Sequence, residues 1–361
     1  MLQIVWFKRD LRIHDHAAIA AAAARGPVIC IYIFEAAYWQ LPDTSQRQWD
    51  FIRESLEDLQ QQLLAVGGRL QLLAGDCADV FQQLRTQCGP FELHSHEETG
   101  NYWTFQRDRA VKAWCKTQQI DWHEHPQFGV RRASKTQGRH NRDDWANYWH
   151  QFMHSPLTPT PVSIEWADSR DETGFILNNN ELPNSHSLPM RVSNDPLPCP
   201  YQQHGGRRRA LAVLESFMTL RGERYRGSIS SPLTAESACS RLSPYLAYGC
   251  ISMKEVVKRL ADAQVQVSSN DLSQFQSNYQ SKYWTGSLAA FESRLWWHCH
   301  FIQKLEDQPD MEWRNLHPAM ASLQRTMNTT YFDAWQYGRT GWPMVDACMR
   351  YLHCHGWINF R

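Results

Sequence analysis

Residues 28–34 read VICIYIF, an unbroken run of aliphatic, β-branched and aromatic side chains that carries no charge. A strand with one exposed face alternates polar and apolar residues, so this run predicts a strand that is buried on both faces. Sheets covered on both faces are parallel, because the helices that connect parallel strands pack on the two faces. Residues 28–34 therefore predict an α/β domain built on a parallel sheet.

The sequence on both sides of this run repeats strand and helix patterns in alternation. Residues 46–65, for example, have apolar side chains at helical spacing and stop at Gly67-Gly68, a helix-terminating signal. Such alternation predicts a Rossmann-like, doubly wound parallel sheet over residues 1–130. The predicted strands are residues 4–7, 28–34, 69–73, 91–96 and 120–125, and the predicted helices are residues 16–24, 46–65, 78–85 and 104–118.

The sequence pattern changes after residue 130. Residues 148–203 are polar and rich in proline and have no sustained period, which is typical of a connecting segment. We therefore predict an inter-domain linker over residues 131–204 and an all-α domain over residues 205–361. Helices are predicted at residues 207–220, 252–263, 291–307 and 341–353.

The composition is that of an ordinary globular protein. The chain has 361 residues, with 37 lysines and arginines against 37 aspartates and glutamates, 42% hydrophobic and 20% charged. These values exclude disorder, collagen and coiled coil, and no apolar run reaches the ~20 residues that a membrane span needs. We expect a cytoplasmic protein.

Cysteine, tryptophan and histidine each raise a functional question. The ten cysteines include no C-x-x-C pair, so we predict reduced, mostly buried thiols. The 16 tryptophans are predicted to fill cores in the main, with stacking of flat ligands or electron transfer as the alternative. Four His-x-His pairs suggest a metal site, but no third ligand lies at metal spacing, and we predict none. The pairs are His94/His96, His123/His125, His298/His300 and His353/His355.

Four segments together resemble the photolyase/cryptochrome flavoprotein family, and their order spans the whole chain. They are WFKRDLR at residues 6–12, CSRLSPYLAYG at 239–249, RLWWHCHF at 294–301, and a segment from Trp335 to Trp357 containing GRTG and VDA. The resemblance implies an FAD-binding helical domain, light-driven chemistry on DNA and a monomeric protein. No G-x-G-x-x-G or P-loop motif competes with it.

Several residues are assigned to the cofactor on the basis of this resemblance. The segment before residue 244 offers hydroxyls and backbone N–H groups that suit a pyrophosphate. An ordinary helix cap is the alternative interpretation of these serines. The implied cofactor-binding residues are Tyr225, Cys239, Ser240, Arg241, Leu242, Ser243, Phe291, Arg294, His298, Asn359 and Phe360.

The resemblance also implies a substrate pocket shaped by Arg294, Trp297, His298 and Trp357. Arg294, Trp297 and His298 lie at i, i+3 and i+4 and so share one helix face. Trp297 keeps the family's stacking position, but Arg294 replaces a glutamate and His298 replaces an arginine. Phe360 stands where the family has an asparagine, with Asn359 just before it. Packing with a snorkelling side chain is the alternative for Arg294, and core packing is the alternative for Trp357.

Three basic clusters fit a partner that carries phosphates, which the resemblance identifies as DNA with a flipped-out pyrimidine dimer. Solvated surface charge is the alternative. The clusters are Arg131-Arg132 with Lys135 and Arg139, Arg207-Arg208-Arg209, and the arginines of residues 221–226. An antenna chromophore is left unassigned, although Glu97, Glu98, Asn101 and Trp103 could line a pocket at the carboxyl edge of the sheet.

The resemblance therefore predicts an FAD-dependent, blue-light-driven photolyase that repairs pyrimidine dimers by electron transfer from reduced flavin. Two alternatives stay open: a cryptochrome-like photoreceptor without repair activity, and a flavin-free fragment that binds DNA. The family pattern continues beyond Arg361, so we expect a C-terminally truncated chain that binds FAD weakly.

Overall fold

The α/β part is a five-stranded sheet in which every strand pair is parallel. In the computed structural model of the protein, the described residues are 1–132, 141–167, 189, 191–192, 199–269 and 281–358. The strand order is β3-β2-β1-β4-β5, as expected of a doubly wound fold. The strands are β1 (Leu2–Phe7), β2 (Val28–Phe34), β3 (Leu70–Ala74), β4 (Phe91–His96) and β5 (Trp122–His125).

Helices cover both faces of this sheet, which is why β2 is buried along its whole length. The four helices are α1 (Ala17–Ala23), α2 (Gln46–Leu64), α3 (Cys77–Cys88) and α4 (Tyr102–Gln118). Helices α1 and α2 share one apolar core with the sheet, and α3 and α4 share the other. The sequence prediction of a doubly wound sheet is confirmed.

The rest of the described chain is helical and has its own core, which includes Phe217, Tyr225, Trp284 and Leu295. The longer helices are α5 (Arg142–Met153), α6 (Arg207–Thr219), α10 (Met253–Ser268), α11 (Ser281–Asp307), α12 (Thr329–Gln336) and α13 (Pro343–His355). Three short helices, α7 (Tyr225–Ser228), α8 (Ala235–Ala238) and α9 (Ser243–Ala247), lie between α6 and α10.

The structure places two helices where the sequence analysis did not expect them. Helix α5 lies inside the segment predicted as a linker, and its Trp145, Trp149 and Met153 are buried in the helical core. Their spacing of four residues indicates a helix, whereas the prolines that follow in the sequence are typical of a connecting segment. Helix α11 is already helical at Ser281, ten residues before the predicted start at Phe291, because Thr285, Gly286 and Ser287 weaken its helical pattern without ending it.

The cysteine prediction agrees with the structure, whereas the tryptophan prediction is met in part: six of the 16 tryptophans are buried in the cores, and five more are half-buried and pack against them. All ten cysteines are free thiols, and six of them are buried. Trp6, Trp39, Trp49, Trp145, Trp149 and Trp284 are core residues. Among the described residues, no helix is both long enough and apolar enough to cross a membrane.

Candidate functional site

Four pieces of the helical part line one cleft of about 510 Å³. This volume lies within the ~300–1,000 Å³ typical of small-molecule sites. The pieces are Tyr225 and Ile229 at α7, the loop of residues 239–243, one face of α11, and Trp357 with Ile358 after α13. The fold therefore brings together residues that are more than 130 positions apart in the sequence.

One face of α11 forms a wall of the cleft, with Arg294, Trp297, His298 and Phe301 in its lining. The rings of Trp297 and Phe301 lie 5.6 Å apart, so this wall is largely aromatic. Burial lowers the pKa of His298 to about 4, so its imidazole is neutral at neutral pH. The site therefore has a neutral ring at the position for which the family resemblance implies an arginine.

The loop of residues 239–243 is held from behind by Arg221. Its guanidinium donates to the carbonyl oxygens of Cys239 and Ser240, and also to that of Val213 at 3.0 Å. Its Nε donates to the Ser216 hydroxyl at 2.9 Å. Because these carbonyls are turned toward Arg221, the polar groups that remain at the cleft are mainly hydrogen-bond donors.

Arg241 occupies an unusual backbone conformation at the centre of this loop. Its φ is +59°, in the left-handed region that non-glycine residues rarely adopt. Gln203 holds it there, accepting from Arg241 Nε at 3.1 Å and donating to the Arg241 carbonyl at 2.8 Å. The guanidinium then stacks over the Trp357 ring, 4.2 Å from its centroid. Such strain persists only where the surroundings enforce it, often at ligand sites.

Tyr225 and Phe291 have different positions relative to the cleft, although both were assigned to the cofactor. Tyr225 is in the lining, and burial raises its pKa, so the phenol stays protonated. Phe291 is 2% exposed and packs behind Tyr225, with ring centroids 5.9 Å apart. Phe291 therefore supports Tyr225 from the core. Asn359 and Phe360 lie outside the described residues.

Three residues of the lining were missed by the sequence analysis: Ile229, Phe301 and Ile358. Phe301 follows Arg294 by seven residues, so extending the i, i+3, i+4 pattern by one turn would have found it. Ile229 and Ile358 have no such signal, because apolar residues beside a turn are common in any core.

A second cleft of about 540 Å³ adjoins the first and shares Ser243 and Trp357 with it. Its other walls include the start of α2, around Arg47, and the end of α13. Arg47 donates to the Leu352 carbonyl at 3.0 Å, which ties the α/β part to α13. The two clefts together offer an elongated space with Trp357 between them.

The crevice at the carboxyl ends of β1 and β4 is where a doubly wound sheet would bind a ligand. Here it is filled by Arg107, which lies 3.1 Å from Glu35, 2.7 Å from Glu98 and 2.8 Å from Asp108. About 50 Å³ remains, room for one or two water molecules at ~30 Å³ each. Of the four residues suggested for an antenna pocket, Glu98 lines this cavity.

The three basic clusters are partly internal. Arg207 pairs with Glu255, Arg132 lies 2.8 Å from Glu306, and Arg221 binds the backbone. Arg208, Arg209, Arg224 and Arg226 are exposed, and the last two flank Tyr225 at the cleft. Lys135 and Arg139 lie outside the described residues.

Comparison with known proteins identifies the family. Residues 3–163 match the family model of DNA photolyase, and residues 291–361 match the FAD binding domain of DNA photolyase. The chain belongs to the photolyase/cryptochrome family. The second match includes the α11 face and Trp357, two of the four pieces that line this photolyase-family cleft, whereas Tyr225 and the loop of residues 239–243 lie before it.

The relatives include both branches of the family. Cryptochrome-2 of Gallus gallus is 25% identical over 368 residues, covering 98% of this chain and 60% of that protein. Deoxyribodipyrimidine photo-lyase of Salmonella typhimurium is 27% identical over 373 residues, covering 99% of this chain and 72% of that protein. The chain thus spans about 60–70% of the length of these photolyase and cryptochrome relatives.

Solved structures give the same result for the fold. A bacterial class III photolyase from Agrobacterium tumefaciens superimposes with a TM-score of 0.72 at 25% identity, covering 99% of this chain and 70% of that one. A cryptochrome from Synechocystis has a TM-score of 0.77 at 19% identity, covering all of this chain and 73% of that one. The second comparison bears on the fold alone.

FAD is the cofactor of this family domain, and the cleft residues suit two of its parts, the flavin ring and the pyrophosphate. A flavin ring needs flat apolar walls, which Phe301 and Trp357 provide. A pyrophosphate needs donors, and the loop presents the Arg241 guanidinium with the hydroxyls of Ser240 and Ser243. No carboxylate is among the described lining residues, so nothing there opposes an anionic ligand.

Proposed function

We propose that this chain holds FAD in the cleft between α7, α11 and Trp357 and uses it for blue-light-driven repair of pyrimidine dimers in DNA. The observation that carries the proposal is the convergence of Tyr225, the 239–243 loop, Trp297 and Trp357 on one cleft. The match of residues 291–361 to a photolyase FAD-binding domain supports the same cofactor.

Each part of the cleft has a distinct task in this proposal. Arg241, with the hydroxyls of Ser240 and Ser243, binds the cofactor phosphates, and Arg221 orients the loop that carries them. Trp297 offers a flat face on which a flipped-out base can stack. Tyr225, buried and protonated, can donate or accept one hydrogen bond but carries no charge. When bound, FAD supplies the light absorption and the electron transfer.

The experiment is a light-dependent repair assay on the purified chain. The protein is supplied with FAD, the bound flavin is reduced with dithionite under anaerobic conditions, and its absorption spectrum is recorded. A single-stranded oligonucleotide with one cyclobutane thymine dimer is then added. Loss of the dimer under blue light, and none in the dark, is the expected result. An intact dimer with a bound flavin that responds to light would contradict repair. An absence of flavin absorbance would contradict the proposal at its first step.

Replacing Arg221 with lysine is expected to weaken FAD binding about tenfold. Lysine keeps the charge but cannot reproduce a planar fork that reaches three carbonyl groups and one hydroxyl; losing one such hydrogen bond costs about 1–2 kcal/mol. The measurement is FAD titration followed by flavin fluorescence. Arg208→Lys, on the exposed side of α6, is the matched control and should bind FAD as the unmodified chain does.

Replacing Trp297 with alanine is expected to weaken binding of the dimer-containing oligonucleotide by tenfold or more. Base–aromatic stacking contributes about 1–3 kcal/mol per base. The measurement is fluorescence anisotropy of a labelled oligonucleotide, in parallel with the FAD content of each sample. Trp313→Ala removes an exposed tryptophan that packs on Tyr102 instead. Equal affinities for the two variants would contradict the stacking role of Trp297.

A cryptochrome-like photoreceptor is the second candidate, and the α11 face favours it. Arg294 and the neutral His298 occupy positions at which the family resemblance implies a glutamate and an arginine for dimer recognition. Their hydrogen-bonding pattern is different, because a guanidinium donates where a carboxylate accepts. A light-dependent change in the flavin spectrum, without any change in the dimer, is the outcome that favours this function.

A further inference from the structure

Four histidines, His94, His96, His123 and His125, form a polar stripe on one face of the sheet, where apolar core residues are expected. Strands β4 and β5 pair in the register His94 to His123 and His96 to His125. Because alternate side chains point to the same face, all four imidazoles lie on one side of the sheet. The alanine-rich helix α1 packs against β1, β4 and β5. Buried polar groups of this kind need partners.

The register adds a carboxylate to this stripe. Glu92 precedes His94 by two residues in β4 and so shares its face. Its Oε2 lies 3.1 Å from His123 Nε2. One ligand atom from each of Glu92, His94 and His123 lies within 4.8 Å of the other two. Two imidazoles and a carboxylate are a donor set that Zn²⁺ prefers.

His94 supports this assignment independently, because its hydrogen bonds are incomplete. The ring is 0% exposed, and its Nε2 lies 2.7 Å from the side-chain oxygen of Gln3. Gln3 Nε2 donates to the Met1 carbonyl at 3.0 Å, which fixes the Gln3 oxygen toward His94. His94 Nε2 is therefore the donor, and Nδ1 keeps a buried lone pair with no hydrogen-bond partner within the described chain.

Metal-binding histidines commonly show this arrangement, in which one ring nitrogen donates to a carbonyl and the other ligates. The stripe is also accessible, since the His123 side chain is 31% exposed. A cation can therefore first meet Glu92 and His123 from solvent, with the buried His94 Nδ1 as its inner ligand.

Arg25 would compete with a cation for the Glu92 carboxylate. Arg25 Nη1 lies 3.0 Å from the same Glu92 oxygen that faces His123. The Arg25 side chain is 49% exposed, so it can turn into solvent when a divalent ion takes its place. Arg25 thus lowers the affinity of the site without belonging to it.

We propose that Glu92, His94 and His123 form a zinc site that joins the edge strand β5 to β4. Gln3 positions His94 through the hydrogen bond that it accepts from His94 Nε2. The His125 ring lies 6.1 Å from that of His94, and its buried Nε2 also lacks a hydrogen-bond partner in the described structure. The sequence spacing could not show this set, because the third ligand comes from strand register. The ion would cross-link side chains of β4 and β5, the last two strands at this side of the sheet.

The test is isothermal titration of the metal-free full chain with ZnCl₂ at pH 7.5. His154→Ala is the background for every variant, because the exposed His150 and His154 rings lie 6.0 Å apart on α5 and can bind zinc themselves. We expect one zinc per chain and a rise in the melting temperature with zinc. His123→Ala should abolish the site, and Gln3→Ala should weaken it about 10–100-fold.

Arg25→Ala separates this site from a set of merely packed histidines. Removing the competing guanidinium should tighten zinc binding at least threefold, whereas a packing role predicts no change in zinc affinity. Zinc binding that persists unchanged in His123→Ala would overturn the proposal, as would an Arg25→Ala variant whose zinc affinity equals that of the background. Circular dichroism checks that each variant keeps its fold.

Discussion

Asp10→Asn is expected to lower the free energy of unfolding by about 1–3 kcal/mol, because at least one buried donor loses the acceptor that the carboxylate provides. The Asp10 carboxylate is fully buried at the end of β1. It accepts from the Lys8 backbone N–H at 2.7 Å and from His96 Nδ1 at 2.8 Å, and His16 Nε2 lies 3.0 Å away. Against the desolvation that opposes it, this set of donors holds the pKa of Asp10 well below its usual range.

Asparagine cannot replace this carboxylate in either orientation. The Ile19 N–H donates to His16 Nδ1, which leaves His16 Nε2 as a donor toward residue 10. In one orientation of the asparagine amide, its NH₂ group faces the two imidazoles. In the other orientation, its NH₂ group faces the Lys8 backbone N–H. A buried donor therefore loses its acceptor in both cases, at a cost of about 1–3 kcal/mol for each such group.

Urea unfolding followed by circular dichroism measures this effect. Asp121→Asn is the matched control, because Asp121 is exposed in the loop before β5; we expect it to change stability by less than about 0.5 kcal/mol. A loss below 1 kcal/mol in Asp10→Asn would mean that the two histidines do not depend on the carboxylate.

Gly249→Ala is expected to cost about 3 kcal/mol or more and to reduce FAD retention at the same time. Gly249 has a φ of +63°. A Cβ at this position would lie 2.2 Å from the Arg9 carbonyl oxygen and 2.5 Å from the Asp10 Cα. Both atoms belong to the backbone, so no side-chain rotation can relieve the overlap, and the α9 turn must move away from β1.

Displacement of the α9 turn would be transmitted to the cleft along the backbone. Gly249 follows α9 closely, and α9 begins at Ser243 in the cofactor loop. The Leu11 N–H donates to the Tyr248 carbonyl at 3.1 Å, and Arg12 Nη1 donates to the Gly249 carbonyl at 3.0 Å. These bonds fix the loop against the α/β part, so displacing Gly249 is expected to displace the phosphate-binding groups.

Gly89→Ala is the control for backbone conformation. Gly89 also has a positive φ, +74°, but a Cβ there would meet nothing within 4 Å. This control should show only the conformational cost, about 1–3 kcal/mol. Thermal unfolding and FAD titration measure both variants. Equal losses in the two would show that the contact between Gly249 and the β1 loop is unimportant.

The fold and much of the cleft could be predicted from local sequence. The run VICIYIF indicated a doubly buried strand, and the i, i+3, i+4 spacing placed Arg294, Trp297 and His298 on one wall of the cleft. Helix α5 was missed because prolines and polar residues follow it closely. Phe291 was assigned to the cofactor by position, but its side chain is directed into the core.

Clusters of charge in the sequence predicted the roles of individual arginines poorly. Arg221 was assigned to a DNA-facing cluster, and the structure turns its guanidinium inward to the carbonyls of the cofactor loop. A run of arginines shows that charge is present, but the direction of each side chain depends on which acceptors the fold brings near it.

By itself the sequence determined the sheet class, the division into an α/β part and a helical part, and the family, because periodicity and motifs are local properties of the chain. Only the tertiary structure decided which distant residues meet. Strand register placed Glu92 beside His123, the α8–α9 turn placed Arg241 over Trp357, and the β1 loop met Gly249. Such contacts depend on how the helices, strands and loops pack against one another. The spacing of residues within one element does not show which residues of another element will contact it.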